Sequence, residues 1–209
     1  MSVVVAIKSE GKVFVGADSQ VTRGGTRATL KNPNNYKIWK VRGADNCLMA
    51  HVGVVRDANI IRLADGLISE YSVFKGYIDY EYVVKRVVPE IFSELKAAGY
   101  LKDEQYLDHM ESRFLFIYKD KVYAISTDGC VLEVDDYVAI GSGEDQAIGS
   151  LLSTEGEDPV ARIIKAIKAS AASDIYVDYP IILTNSETTE FKVINEMDES
   201  KYLKGSKKK

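Results

Sequence analysis

Ser2-Val3-Val4-Val5-Ala6-Ile7-Lys8 is followed by Ser9-Glu10-Gly11 and then by Lys12-Val13-Phe14-Val15-Gly16-Ala17-Asp18. Two apolar runs rich in β-branched residues, parted by a short segment ending in glycine, predict a β-hairpin. Ser2 heads the first strand directly behind Met1. Removal of Met1 would leave a hydroxyl residue whose own α-amine is the nearest base to its Oγ. A serine hydroxyl needs such a base to act as a nucleophile. A free α-amine, with an ordinary pKa of about 7.7–8.0, is already partly neutral at physiological pH.

Working outward, residues 22–36 are rich in Gly, Thr, Asn and Lys and read as a loop or irregular crossover. Strand character returns over Lys37–Val41 and Asn46–Val52, and Gly53 ends the second of these. From Asp57, the apolar residues Ile60, Ile61, Ala64, Leu67 and Ile68 follow helical spacing. A second helix carries Val84, Val87, Val88, Ile91, Phe92 and Leu95 on one face, with Pro89 as a kink or boundary. Strands follow over Arg113–Tyr118 and Val122–Ser126, joined at Lys119-Asp120-Lys121, then over Val131–Val134 and Tyr137–Ile140. Gly141-Ser142-Gly143 opens a third helix, and Asp158-Pro159 caps a fourth, with Val160, Ile163, Ile164, Ile167 and Ala171 facing inward. Strands Ile181–Thr184 and Thr189–Ile194 close the chain. Strands, two helices, strands, two helices, strands: the order predicts an α+β protein, a four-layer αββα sandwich.

With 209 residues and 46% apolar content, a single domain over residues 1–200 is expected, with a solvated, disordered tail over 201–209. The net charge of −4 argues against nucleic-acid or membrane-surface binding. No apolar run reaches the roughly 20 residues of a membrane span, and no signal-peptide pattern opens the chain, so a cytoplasmic protein is expected. Cys47 and Cys130 form neither a disulfide framework nor a zinc spacing and are expected as buried free thiols. His51 and His109 are the only histidines. A Ser-His-Asp triad must use one of them, and neither lies near a G-x-S-x-G elbow. No metal site is expected.

Four pieces of sequence gather around Ser2. Asp18, in Gly16-Ala17-Asp18-Ser19-Gln20-Val21-Thr22, stands at the end of the second strand. Lys37-Ile38-Trp39-Lys40-Val41 supplies a lysine with an aliphatic pattern, which its rival Lys31 lacks. Such a cation near Ser2 Oγ would favour the alkoxide and lower the amine's pKa, and Asp18 would offset the cost of burying it. His51-Val52-Gly53-Val54-Val55-Arg56-Asp57 sets a glycine N–H at a strand-to-helix junction, suited to an oxyanion. Ala139-Ile140-Gly141-Ser142-Gly143 brackets a serine with glycines; a phosphate loop is the competing reading, but its lysine and spacing are missing.

Together these pieces resemble the proteasome β-type peptidases, and among them HslV-type enzymes. The resemblance spans residues 2–195 and implies Ser2 as nucleophile, Asp18 and Lys37 as its activating pair, the Gly53 N–H as oxyanion donor, and Ser142 and Ser173 as partners of the N-terminal region. It places Ser170 where the family carries a helix-four Asp, with Asp174 as the candidate to compensate. It implies a substrate pocket of Val21, Asn35, Trp39, His51 and Val55, polypeptide substrates, no cofactor, homo-oligomeric rings and a separate ATP-driven unfoldase, since this chain has no ATP-binding motif. Two alternatives stay open: an inactive assembly subunit, and an N-terminal-nucleophile amidase acting on small amides.

Overall fold

The computed structural model describes residues 2–99, 102–104 and 107–203. β1 (Val3–Ser9) and β2 (Lys12–Ala17) form the expected hairpin, Val4 opposite Ala17 and Ser9 opposite Lys12. A second hairpin, β3 (Gln20–Arg23) and β4 (Thr26–Thr29), precedes β5 (Ile38–Lys40) and β6 (Cys47–Val52). Helices α1 (Val55–Ile61), α2 (Glu70–Lys75), α3 (Tyr80–Tyr82) and α4 (Val88–Ala97) follow. Next come the short pair β7 (Lys102–Glu104) and β8 (Leu107–His109), and then β9 (Arg113–Tyr118), β10 (Lys121–Ile125), β11 (Val131–Glu133) and β12 (Tyr137–Gly141). Helices α5 (Glu144–Ser153) and α6 (Pro159–Ala171), strands β13 (Ile181–Asn185) and β14 (Lys192–Ile194), and a last turn α7 (Ser200–Leu203) complete it.

Two five-stranded antiparallel sheets result, ordered β12-β1-β2-β13-β14 and β11-β10-β9-β6-β5. Successive strand residues point to opposite faces, so a strand covered on both faces reads as a continuous apolar run. In β1, Val3, Val5 and Ile7 pack under α5 and α6, while Val4 and Ala6 face the other sheet. In β6, Leu48, Ala50 and Val52 meet that inner layer, and Cys47 and Met49 turn to the α1–α4 side. Three apolar layers thus separate helices, sheet, sheet and helices, the αββα sandwich expected.

Several local expectations need correcting. The polar stretch after residue 21 contains a hairpin, turning at Gly24 and Gly25 with φ of +53° and +82°. Two successive positive φ values suit a tight hairpin turn, and β4 is exposed along its whole length, so no hydrophobic period marks it. The helix begun at Asp57 ends at Ile61; Ala64, Leu67 and Ile68 reach the core from turns instead. Pro89 lies in the first turn of α4, preceded by a π-helical turn, Val83–Val87. A wider turn accommodates the missing N–H. It also re-phases the helix, burying Val83 and leaving Val84 exposed. Cys130 is exposed, because it sits in the turn before β11 rather than in the sheet; Cys47 is buried as expected. Residues 201–203, expected as tail, are helical, and Tyr202 and Leu203 pack against the α6 core. Residues 204–209 lie outside the described residues. No helix among the described residues is long and apolar enough to cross a membrane.

Gly16 sets how closely α6 approaches the sheet. A Cβ there would lie 2.4 Å from Ile163 Cγ2 and 3.2 Å from Ile167 Cδ1. Overpacking a filled core costs about 1–3 kcal/mol. Gly16→Val should lower the unfolding free energy by that amount, read as a lower urea midpoint at unchanged slope; an unchanged midpoint would mean that α6 is not seated on this glycine.

Candidate functional site

The start of β1 is held in place by polar groups from three directions. The Ser2 nitrogen donates to Ser142 Oγ at 3.1 Å. The Ser2 carbonyl accepts from the Gly143 N–H at 3.3 Å and lies 3.4 Å from Ser142 Oγ. The next amide, Val3 N–H, donates to Asp18 Oδ1 at 2.9 Å. β12 can approach this closely only because residue 141 lacks a side chain: a Cβ on Gly141 would lie 2.0 Å from the Ser2 carbonyl oxygen.

Asp18 is completely buried, at the end of β2. Its Oδ1 also accepts from Lys37 Nζ at 2.7 Å, and its Oδ2 accepts from the Gln20 N–H at 3.0 Å. An ion pair this deep survives because both charges are hydrogen-bonded; removing one partner of such a pair costs about 3–5 kcal/mol. Burial pushes the Lys37 ammonium below the ordinary lysine range, opposed first by Asp18 and then by the charge of Asp174. Lys37 therefore releases a proton more readily than a solvated lysine.

Gly53 follows β6 with φ of +123°, and a Cβ there would lie 2.6 Å from the Glu111 carbonyl oxygen. The turn is buttressed from behind. Ser112 Oγ donates to Asp57 Oδ2 at 2.7 Å and accepts from the Val54 N–H at 3.1 Å. His51 Nε2 lies 3.0 Å from the Val54 carbonyl and 3.2 Å from Ser112 Oγ. Ser, His and Asp meet here, but not as a triad. A carbonyl only accepts, so Nε2 carries the hydrogen toward Val54 and cannot take a proton from Ser112. Asp57 bonds the serine rather than the histidine. Burial, with Lys37 and Arg62 adding repulsion, holds His51 neutral with its pKa lowered to about 3.

These pieces open on one cavity of about 270 Å³. Ser2, Lys37 and Gly53 line it, and so do Val21, Asn35, His51 and Val55. Trp39 does not. It is buried in the core beneath α1, because its place in β5 faces the helices, and the Arg62 guanidinium stacks over it at 4.7 Å. Ser173 does not line the cavity either; it is exposed beyond the end of α6, its N–H donating to the Ser170 carbonyl. Ser170 is fully buried, and its Oγ donates to the Gly143 carbonyl at 2.7 Å. A carboxylate could not make that bond, so the serine here ties α6 to the turn that holds Ser2. Asp174 accepts from the Tyr176 N–H through Oδ1, while its buried Oδ2 has no hydrogen-bond partner among the described residues.

Sequence reasoning missed several contributors. Glu144 accepts from the Gly141 N–H at 3.1 Å and pairs with Arg113 at 2.5 Å, bracing the Gly141–Gly143 turn. An acid in the first turn of a helix after Gly-Ser-Gly was a usable signal. Ser112 and Arg62 carried none, since each is a common residue whose partners lie far off in sequence. Among the described residues, no cluster of metal-ligating side chains occurs.

The His51 shift fixes a sign for stability. Below its ordinary value of 6.5 the unfolded chain takes up a proton that the folded chain refuses until about pH 3. His51's contribution is therefore complete above pH 6.5 and is lost as pH falls, by up to about 1.4 kcal/mol per pH unit. Denaturant midpoints of wild type should fall more steeply between about pH 6 and 4 than those of His51→Gln; equal slopes would mean His51 is solvated.

The proteasome subunit family model matches residues 2–178. The ATP-dependent protease subunit HslV of Borrelia recurrentis is 32% identical over 185 residues, which cover 86% of this chain and 94% of that protein. HslV of Ligilactobacillus salivarius is 28% identical over 189 residues, covering 88% and 98%. The structure of Thiobacillus denitrificans BPH in complex with epoxomicin superposes with a TM-score of 0.67 at 19% identity, over 88% of this chain and 97% of that one. That likeness shows the fold, and the family match shows the lineage: the chain belongs to the proteasome subunit family, as a β-type, HslV-like member of the N-terminal-nucleophile hydrolases.

Proposed function

We propose that the chain is an endopeptidase subunit whose nucleophile is Ser2, presented as the N-terminal residue once Met1 is removed. The observation that carries this reading is the shared cavity. Ser2, with its nitrogen on Ser142 Oγ, borders the same space as Lys37 and Gly53. The freed α-amine takes the Oγ proton, and the Lys37 cation lowers the amine's pKa and favours the alkoxide. Ser2 Oγ attacks the peptide carbonyl, and the Gly53 N–H receives the oxyanion. The amine then protonates the leaving nitrogen, an ester to Ser2 forms, and water hydrolyses it. Asp18 orients Lys37 and keeps its charge tolerable in a buried place. Asp174, which also favours the charged Lys37, compensates for the absent carboxylate at Ser170. Neither a metal nor a cofactor has a role in this scheme.

The names of the relatives support the setting. HslV is an ATP-dependent protease subunit, so we infer a homo-oligomeric ring in the cytoplasm fed by a separate ATP-driven partner. BPH was solved with epoxomicin, an epoxyketone, which makes that class of probe the natural reagent for Ser2. One observation favours a second reading, an inert assembly subunit: Ser170 offers a hydroxyl already spent on Gly143 where the family pattern has an acid. An intact mass that retains Met1 in a protein without peptidase activity would select it.

Ser2→Ala should abolish peptide hydrolysis in the assembled protein. Gly53→Ala, which meets the Glu111 carbonyl and displaces the N–H, should lower kcat by about 10²–10³-fold. Undiminished hydrolysis by Ser2→Ala would remove Ser2 from the mechanism, whereas cleavage of small amides but not peptides would turn the reading toward an amidase.

A further inference from the structure

Among the described residues two cationic side chains line the cavity, Lys37 and Arg62, and no Asp or Glu does. Lys37 is neutralised by Asp18. Arg62 is not neutralised. Its Nη1 donates to the Pro33 carbonyl at 3.2 Å, its Nη2 donates to the Tyr36 carbonyl, and its guanidinium stacks on Trp39. Carbonyl groups fix the position of a guanidinium without cancelling its charge. No carboxylate among the described residues offsets its burial, which alone lowers its pKa to about 10, so it stays charged at neutral pH. Of its five N–H donors, these two bonds use two; Nε is buried and has no partner among the described residues. The polar side chains of the remaining lining include three neutral amides, Gln20, Asn35 and Asn59, and the neutral His51. The cavity thus holds a preoriented, half-buried cation with donors to spare and no counter-ion among the described residues.

We propose that Arg62 is the specificity-determining residue of this cavity, selecting peptides that carry a carboxylate side chain on the residue whose carbonyl Ser2 attacks. The inference rests on the peptidase reading for its reaction but on Arg62 alone for its selectivity. A carboxylate entering the cavity supplies the missing negative charge and accepts charge-assisted hydrogen bonds, the strongest class available to a guanidinium. An amide of the same shape supplies no charge. If Arg62 only clamped Pro33 and Tyr36, its removal would slow all substrates alike.

The test compares fluorogenic peptides that differ only by Glu, Gln or Leu at that residue, hydrolysed by the assembled wild type, Arg62→Met and Arg62→Lys. Wild type should favour Glu over Gln by about 10- to 100-fold in kcat/KM. Arg62→Met should bring the ratio near one, and Arg62→Lys should keep part of it. A ratio near one in wild type, or one that survives Arg62→Met, overturns the proposal. If wild type neither hydrolyses peptides nor reacts with an epoxyketone at Ser2, the peptidase reading fails separately. Equilibrium binding of the Glu and Gln peptide amides then decides. Tighter binding of Glu that Arg62→Met removes supports the acidic subsite, and equal binding overturns it.

Discussion

The Asp18 carboxylate is the group on which the site is built. It is fully buried, and its two oxygens accept hydrogen bonds from three different segments: the start of β1 through Val3, the turn into β3 through Gln20, and the start of β5 through Lys37. A charge in that position is tolerable only when it is paired with an opposite charge and hydrogen-bonded. The requirement therefore fixes where Ser2 and Lys37 lie relative to each other. Without Asp18, Lys37 would be a cation with no hydrogen-bonded counter-ion in the interior.

Close backbone approach is the second constraint. Gly141 allows the Ser2 carbonyl to lie where any side chain would collide, and Gly53 turns beside Glu111 on the same terms. Each glycine is then locked from behind, Gly141 by Glu144 and Arg113, the Gly53 turn by Ser112, Asp57 and His51. These polar braces draw on α5 on one side and α1 on the other. The helical layers of the sandwich thus serve the site as well as the core.

How much of this could be read in advance follows from the physics of each piece. The β1–β2 hairpin was legible because β-branched runs flank a short turn. Asp18, Lys37, Gly53 and Ser142 were legible as places in a family pattern, which named positions but no distances. The β3–β4 hairpin was hidden because its exposed strands carry no hydrophobic period. Trp39 was expected in the pocket and lies in the core, since one step of strand register decides which face a side chain takes. Arg62 was invisible for a related reason. In sequence it is an ordinary polar residue at the end of a helix, and only the fold brings it against Tyr36 and the cavity.

Peptide mapping of the assembled protein after reaction with an epoxyketone probe tests directly whether Ser2 is the nucleophile. The mature chain should begin at Ser2, with one adduct that joins the probe to both the amine and the hydroxyl of that residue. A chain that keeps Met1 while hydrolysing peptides, or an adduct on any other residue, would contradict that assignment.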